Sequence, residues 1–344
     1  MKYNLLGKTG VYVSEICFGT MTFGGKGFWE AIGKLGQKDL DSQLKKAIDS
    51  GVNFIDTANV YHEGVTETLT GQAIKNLGIS RQDLVIATKV FGRMGKGVNE
   101  VGLSRKHIMD SVDASLKRLG MDTIDLYQIH GLDQITPLEE TLSALNDLVR
   151  SGKVRYIGFC NLPAWKVMKA LSISDAKGYS RFVSAQMYYT IAGRDIEREI
   201  VPLAQEEGLS ILPWSPLAGG FLTGKFTRDG QGPKDARRSG FDFPPLNRDR
   251  AFDCVDKMKE IADSKNVSIS QIALAYLLHK PGVTSVIIGA KSDEQLTDNL
   301  NSVQIHFSDE EMKVLDEVSQ LPAEYPGWMV TYQNRNRTPD SIQG

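Results

Sequence analysis

Side chains of four different chemistries follow apolar segments in the first 130 residues of the sequence. One segment ends at Asp56, and Tyr61 lies in the loop that adjoins it; the next two segments end at Lys89 and His130. A carboxylate, a phenol, an ammonium and an imidazole are the groups that a reaction uses when it delivers a proton to an oxygen that is becoming negative. These four residues are therefore candidates for such a proton transfer.

Delivery of hydride to a carbonyl group would use each of them. The carbonyl oxygen becomes an alkoxide, and the Tyr61 hydroxyl can protonate it, although a phenol pKa of ~10 is too high for good acid catalysis near neutrality. The Lys89 ammonium favours the phenolate and lowers that pKa, and Asp56 keeps Lys89 charged. A neutral His130 can donate a hydrogen bond to the carbonyl oxygen. These residues predict reversible carbonyl reduction with Tyr61 as proton donor.

Each of these residues alone has a simpler explanation. An Asp after a strand is usually a cap or turn residue, a Lys is usually solvated, and a His or Tyr usually packs in the protein. Their order on successive segments favours the functional interpretation. More polar or aromatic residues follow the later apolar segments, at Asn161, Gln186, Trp214–Ser215 and Gly289–Lys291.

The elements that must position these residues alternate along the whole chain. Short apolar segments, most of them continuous rather than alternating, are typical of parallel strands covered on both faces. Amphipathic segments with helical spacing separate them. The predicted strands are Glu15–Gly19, Asn53–Asp56, Leu84–Lys89, Ile124–His130, Val154–Phe159, Phe182–Gln186, Ser210–Pro213 and Ser285–Ile288.

Eight such repeats predict an α/β fold, a (β/α)8 TIM barrel whose strands all end on one face. The competing architecture is a doubly wound open sheet, which is less favoured because no Gly-x-Gly-x-x-Gly turn follows the first strand. We expect one domain over residues 1–344. It would carry an N-terminal β-hairpin at 1–14, a long loop at 219–250 after barrel strand 7, and a C-terminal tail at 325–344.

Composition excludes several classes of protein. A net charge of -2 gives no electrostatic reason to bind nucleic acid or an anionic membrane. The three cysteines, Cys17, Cys160 and Cys254, are far apart and predict neither a disulfide framework nor a metal site. No apolar segment approaches the ~20 residues of a membrane span. The polar N-terminus is unlike a signal peptide, so a cytoplasmic location is expected.

Several motifs in one order resemble those of the aldo-keto reductases over nearly the whole chain, in the bacterial and plant branch related to potassium-channel β subunits. The resemblance implies a catalytic tetrad of Asp56, Tyr61, Lys89 and His130. The matching stretches are Gly19–Gly24, Asn53–Ala58 with Tyr61, Ala87–Lys89, Asp125–His130, Ile157–Asn161, Gln186 with Tyr188, Pro213–Gly220, Ile288–Ala290 and, for the branch, Tyr325–Trp328.

The same resemblance implies a site for NADPH or NADP. Trp214 would stack on the nicotinamide. Gln295 stands where many members have an Arg that faces the adenosine 2′-phosphate, so Lys291 could supply the charge and NADH is also possible. The implied contacts are Thr20, Asp56, Cys160, Asn161 and Gln186 around the nicotinamide, Ser215, Leu217, Gly219 and Lys225 at the pyrophosphate, and Gly289, Ala290, Lys291, Gln295 and Asn299 at the adenosine.

Candidate walls for a small-molecule carbonyl substrate are Phe23, Trp29, Met94 and Tyr188, which suggest a lipophilic compound. The sequence does not indicate which oligomeric state the protein adopts. One alternative function is an NADPH-binding regulatory subunit, which would need a membrane partner; the barrel begins almost at Met1, so it is less favoured. Another is a lyase that uses Lys89 as a Schiff-base nucleophile.

Overall fold

The computed structural model describes residues 1–234, 236–335 and 337, and it contains ten strands in two sheets. Two short strands form an antiparallel pair, and the other eight form one parallel sheet. The strands are β1 (Tyr3–Leu5), β2 (Tyr12–Ser14), β3 (Ile16–Gly19), β4 (Phe54–Asp56), β5 (Val85–Val90), β6 (Ile124–Ile129), β7 (Val154–Cys160), β8 (Phe182–Tyr188), β9 (Ser210–Trp214) and β10 (Val286–Ile288).

The eight parallel strands curl into a nearly closed barrel, in the order β10-β3-β4-β5-β6-β7-β8-β9. The two ends of the sheet meet at Ile211, whose N–H donates to Gly282 O at 3.1 Å and whose carbonyl accepts from Thr284 N–H at 2.9 Å. The predicted (β/α)8 barrel is therefore confirmed, and its eight predicted strands match the observed ones to within two residues.

Twelve α-helices in the described part of the chain connect and surround the strands. Their ends carry typical capping residues: Ser104 caps one helix by accepting from His107 N–H, and Gly120 ends it in the left-handed conformation. The helices are α1 (Gln37–Asp49), α2 (Val65–Asn76), α3 (Arg105–Leu119), α4 (Leu138–Arg150), α5 (Ala164–Lys177), α6 (Ile200–Glu207), α7 (Arg237–Gly240), α8 (Arg248–Lys265), α9 (Ile269–Leu278), α10 (Asp293–Asn301), α11 (Asp309–Val318) and α12 (Gly327–Asn334).

The N-terminal hairpin of β1 and β2 closes the end of the barrel where the strands begin. Leu6 and Val13 are fully buried and complete an apolar cluster inside the barrel with Phe54 and Leu126. Gly7 has a φ of 59°, and a Cβ there would lie 2.4 Å from Val183 O, so only glycine allows this approach. Since the hairpin closes this end, the opposite end is the one open to a ligand.

The long segment after β9 is more ordered than the predicted loop over 219–250. A 3-10 helix at Ala218–Thr223 begins it, α7 lies in its middle, and α8 already starts at Arg248. The predicted tail at 325–344 contains α12, and its residues 336 and 338–344 lie outside the described residues. Among the residues that the structure describes, no helix combines the length and apolar character that crossing a membrane requires.

Candidate active site

The turn that carries Tyr61 leaves the barrel directly after β4. The 3-10 helix Tyr61–Gly64 contains two residues with left-handed backbone, His62 at φ 49° and Glu63 at φ 58°, followed by Gly64 at φ 92°. Non-glycine residues rarely adopt this conformation, and the two of them together with Gly64 form a sharp reversal of the chain. The reversal leaves the Tyr61 side chain buried at the open end of the barrel, with 7% of its surface exposed.

A buried ion pair lies beside the Tyr61 hydroxyl. The Lys89 ammonium, fully buried on β5, donates to Asp56 Oδ2 at 2.5 Å, to Thr57 O at 2.8 Å and to Tyr61 Oη at 3.2 Å. All three donors of the ammonium therefore have acceptors, as a buried charge requires. The structure thus brings Asp56, Lys89 and Tyr61 into one hydrogen-bonded group.

Two buried amides hold the other oxygen of Asp56. Gln186 Nε2 donates to Asp56 Oδ1 at 2.8 Å, and Gln128 Nε2 donates to the same oxygen at 3.2 Å. Gln128 was not predicted as a site residue. Its position was a usable signal: an amide inside the apolar strand Ile124–His130 needs a hydrogen-bond partner, because an unpaired buried polar group costs free energy.

Opposing effects act on the pKa values of this group. Burial lowers the pKa of Lys89, but the Asp56 carboxylate and Tyr61 raise it, and the net result lies above the usual lysine range. Burial raises the pKa of Tyr61 to about 12, although Lys89 lowers it. Lys89 therefore has the predicted lowering effect on the pKa of Tyr61, but burial outweighs it, and the net pKa lies above that of a free phenol.

His130 lies directly after β6 with its ring against Tyr61. The two ring centroids are 5.8 Å apart in an edge-to-face arrangement. Burial and the nearby Lys89 ammonium lower the pKa of His130 to about 3, because both disfavour a second positive charge. The imidazole is therefore neutral at physiological pH.

The residues predicted around the nicotinamide lie on the same face. Thr20 follows β3 and donates through its hydroxyl to Asp56 O at 3.1 Å. Asn161 follows β7 with a φ of 55°, and its Oδ1 accepts from the Trp214 indole N–H at 2.9 Å. Cys160 is buried at the end of β7, where burial raises the pKa of its thiol well above the usual range. This cysteine is therefore a neutral thiol.

The loop after β9 has several residues with left-handed backbone and is closed by its own hydrogen bonds. Ser215 and Gly219 have φ values of 51° and 64°, and Ser215 Oγ accepts from Gly219 N–H at 3.1 Å. Leu217 O accepts from Gly220 N–H at 2.9 Å. A Cβ at Gly220 would lie 2.9 Å from the Lys225 ammonium nitrogen, so this cation reaches the same loop.

Two arginines above this loop were missed by the sequence analysis. Arg238 is buried and donates to Ala218 O and Pro244 O, each at 2.9 Å. Arg237 lies beside it, and burial with the charge of Arg238 lowers its pKa to about 10, although the Tyr61 phenol raises it. Within the described part of the chain, the buried Nε atoms of both arginines make no hydrogen bond. Each of the two guanidinium groups therefore keeps one unpaired donor within the described residues, although Arg238 also pairs with Asp242.

The residues predicted for the adenosine end surround the start of α10. Gln295 Oε1 accepts from Lys291 N–H at 3.0 Å, and Asn299 Nδ2 lies 3.4 Å from Gly289 O. Ala290 is buried, whereas the Lys291 side chain is exposed. Gln295 therefore supports the local backbone in this structure.

The four residues predicted to line the substrate pocket lie in different surroundings. Trp29 meets the Tyr61 ring edge-on at 5.1 Å, and Tyr188 lies 5.2 Å from Trp214. Met94 lies in the loop after β5, where its N–H donates to Glu100 O at 2.9 Å. The prediction that Phe23 lines the substrate pocket is wrong. Phe23 is fully buried in the core against Phe18, so it offers no surface to a substrate.

His62 joins the Tyr61 turn to the loop that carries Trp29. Its Nδ1 accepts from Lys26 N–H at 3.0 Å, so Nε2 carries the proton and donates to Met21 O at 3.0 Å. We expect His62→Ala to lower the free energy of unfolding by about 2–3 kcal/mol and to raise KM for a carbonyl substrate, since both loops lose this contact. Urea unfolding and steady-state kinetics measure the two effects.

The exposed His306, in the segment between α10 and α11, provides the matched control for that prediction. His306→Ala is expected to change stability by less than about 0.5 kcal/mol. A His62→Ala protein with unchanged stability and unchanged KM would contradict the linking role of His62.

Comparison with known proteins agrees with this architecture. The model of the Aldo/keto reductase family matches residues 15–320. Versiconal hemiacetal acetate reductase of Aspergillus parasiticus is 34% identical, over 95% of this chain and 99% of that protein. A putative aryl-alcohol dehydrogenase of Schizosaccharomyces pombe is 35% identical, over 92% and 95%.

A probable voltage-gated potassium channel subunit beta of Arabidopsis thaliana is 39% identical, over 89% of this chain and 92% of that protein. The relatives thus include both reductases and channel subunits, as the motifs predicted. Match and coverage together establish that the chain is an oxidoreductase of carbonyl or alcohol groups and belongs to the aldo/keto reductase family.

Proposed function

We propose that the protein reduces an aldehyde or ketone reversibly to an alcohol with NADPH, using Tyr61 as the proton donor. The observation that carries the proposal is the buried group of Asp56, Lys89 and Tyr61 at the open end of the barrel. A buried ammonium beside a phenol stabilises the phenolate that proton donation leaves behind. A purely structural ion pair would not need the phenol.

A nicotinamide held by Asn161, Gln186 and Trp214 would supply the hydride. Tyr61 gives its proton to the carbonyl oxygen, while Lys89, held charged by Asp56, stabilises the remaining phenolate. Neutral His130 donates a hydrogen bond to the same oxygen and stabilises the developing charge. Buried side chains around these groups keep out water, which strengthens each of these electrostatic interactions.

Unpaired guanidinium donors and a left-handed loop support a site for the dinucleotide phosphates. The unpaired Nε atoms of Arg237 and Arg238 and the left-handed backbone at Ser215 and Gly219 suit a diphosphate, with Lys225 adding charge. Asn161 and Gln186 would bind the nicotinamide amide, and Trp214 its ring. Thr20 and Cys160 would border the nicotinamide, Leu217 the phosphates, and Gly289, Ala290, Gln295 and Asn299 the adenosine.

The preference for NADPH would rest on Lys291, an exposed cation at the start of α10. We expect Lys291→Ala to raise KM for NADPH about tenfold, the equivalent of one charged hydrogen bond, and to leave KM for NADH unchanged. Lys313→Ala, at another exposed lysine, is the control. Equal effects on both cofactors would mean that Lys291 is only a surface charge.

A panel of aldehydes and ketones assayed with NADPH and with NADH tests the proposed function. Loss of NADPH absorbance with stoichiometric alcohol is the expected result. Binding of NADPH without turnover of any carbonyl would contradict it and favour the regulatory-subunit alternative, which the name of the Arabidopsis relative raises for that protein. Borohydride trapping on Lys89 would favour a lyase, although its raised pKa keeps the amine protonated.

The pKa values predict a flat pH profile for reduction. Tyr61 stays protonated below about pH 12, and His130 stays neutral above about pH 3. Both groups are therefore in the form that reduction needs from pH 5 to pH 8, and kcat/KM for the carbonyl should be constant over that range. A loss of activity with a midpoint near pH 6.5 that disappears in His130→Gln would contradict this prediction.

A further inference from the structure

A cluster of buried charges lies in the loop that follows β8, outside the site described above. Arg194 Nε donates to Glu197 Oε1 at 2.9 Å, and Arg194 Nη2 donates to Glu197 Oε2 at 2.7 Å, so the ion pair is bidentate. Only 12% of the Arg194 side chain and 25% of the Glu197 side chain are exposed. Tyr189, buried directly after β8, donates through its hydroxyl to Glu197 Oε1 at 2.5 Å.

The same cluster joins this loop to the helices behind it. Arg194 Nη1 donates to Asp316 O at 3.0 Å, on α11, and to Ser319 Oγ at 2.7 Å. Asp316 Oδ1 accepts from the Tyr276 hydroxyl on α9 at 2.6 Å and from the Lys280 ammonium at 2.9 Å. Apolar residues of similar volume would stabilise the fold at least as well, whereas directional hydrogen bonds between charges fix a geometry. The cluster therefore holds the loop in one position relative to α9 and α11.

A tight turn connects the cluster to Tyr188, the last residue of β8. Thr190 N–H donates to Gly193 O at 3.2 Å, and Gly193 N–H donates to Thr190 O at 3.1 Å. The Gly193 backbone lies against the Tyr188 ring, since a Cβ on Gly193 would be 3.0 Å from Tyr188 Cε1. Gly193 directly precedes Arg194, so the ion pair of Arg194 fixes the part of the turn that contacts Tyr188.

Tyr188 in turn packs against Trp214, the residue proposed above to stack on the nicotinamide. The two ring centroids are 5.2 Å apart with planes inclined by 44°, and the two residues are paired in register on β8 and β9. A ring held by a packed neighbour has less freedom to lose when a ligand stacks on it, and binding is stronger for that reason. The position of the turn therefore affects the binding of the dinucleotide.

On the basis of the proposed cofactor site, we propose that Gly193 and Arg194 are positioning residues for the dinucleotide. They hold Tyr188 against Trp214 and so fix the ring on which the nicotinamide stacks. Position 193 requires glycine, because a side chain there would displace the Tyr188 ring. Position 194 requires arginine, because its planar guanidinium makes both hydrogen bonds to Glu197 and a lysine ammonium does not. Neither residue touches the reacting atoms.

The test measures the dissociation constant of NADPH by isothermal titration calorimetry, which needs no turnover. The proteins compared are the wild type, Gly193→Ala, Arg194→Lys, Trp214→Ala and the double variant Gly193→Ala/Trp214→Ala. The calorimetric stoichiometry counts folded protein, so a loss of folded protein lowers the stoichiometry and leaves the dissociation constant unchanged. If Arg194→Lys does not fold, the Gly193→Ala series still tests the proposal.

Each substitution has a matched control. A Cβ at Gly10, in the hairpin at the opposite end of the barrel, would have no neighbour within 4 Å, so Gly10→Ala adds the same methyl group without a contact. Arg105 pairs with Asp147 where both side chains are well exposed, so Arg105→Lys makes the same exchange of cations at a surface ion pair. Both controls should bind NADPH as the wild type does.

Gly193→Ala and Arg194→Lys are each expected to raise the dissociation constant about 2- to 10-fold, the value of one aromatic contact. In the Trp214→Ala background, Gly193→Ala should have no further effect, because the ring through which it acts is gone. An unchanged dissociation constant in Gly193→Ala, or the same effect with and without Trp214, would overturn the proposal. A wild type that binds no dinucleotide would instead overturn the proposed function.

Discussion

Tyr61→Phe is expected to lower kcat for carbonyl reduction by a factor of about 10²–10⁴, the usual contribution of a positioned acid. The substitution removes the hydroxyl that lies 3.2 Å from the Lys89 ammonium nitrogen, while the aromatic contacts with Trp29 and His130 can persist. KM for NADPH should stay nearly constant, since the phenol is not among the residues proposed to hold the dinucleotide. Single-turnover kinetics measures the effect.

Tyr127→Phe is the matched control for that experiment. Tyr127 is fully buried on β6, and its hydroxyl makes no hydrogen bond within the described part of the chain. Removing this hydroxyl should leave kcat unchanged. If both variants lost activity equally, or if Tyr61→Phe retained more than a tenth of kcat, Tyr61 would not be the proton donor.

Asp56→Asn is expected to lower the free energy of unfolding by about 3–5 kcal/mol and to abolish most activity. The substitution leaves the Lys89 ammonium buried without its counter-ion, which is the costly way to break a buried pair. The new amide nitrogen would also face another hydrogen-bond donor, either the Lys89 ammonium or the Gln186 amide, so one of these donors would lose its acceptor. Chemical denaturation and steady-state kinetics measure the two losses.

The double variant Asp56→Asn/Lys89→Met separates stability from catalysis. Replacing both charges removes the uncompensated ammonium, so much of the lost stability should return. Activity should not return, because the phenolate of Tyr61 would have no cation beside it. Recovery of activity in the double variant would contradict the role that we propose for the ion pair.

The barrel could be predicted from the sequence because its signals are local. Strands such as Leu84–Lys89 are continuous apolar segments, and helix ends such as Ser104 and Gly120 have characteristic capping residues. A polar residue that directly follows a strand then lies at the end of the barrel where all the parallel strands end. This geometry explains why Asp56, Lys89 and His130 could be expected at one end of the barrel.

The remaining parts of the site depend on loops and on burial, which have no local signal. Phe23 is in a motif beside the site, yet the loop after β3 turns it into the core and brings Phe28 and Trp29 outward. Arg237 comes close to Tyr61 because the segment after β9 folds back over the barrel. The net pKa of Tyr61 depends on burial, and burial outweighs Lys89 here.

Backbone conformation at the strand exits has a consequence for heat tolerance. Six described residues other than glycine have positive φ; Asn266 ends α8, whereas His62, Glu63, Asn161, Ser215 and Ala218 border the proposed site. Each such L-residue lies roughly 1–2 kcal/mol above its relaxed conformation. The loops that carry these five residues therefore store several kcal/mol of backbone strain. On heating, they should open at lower temperatures than the β-strands beneath them.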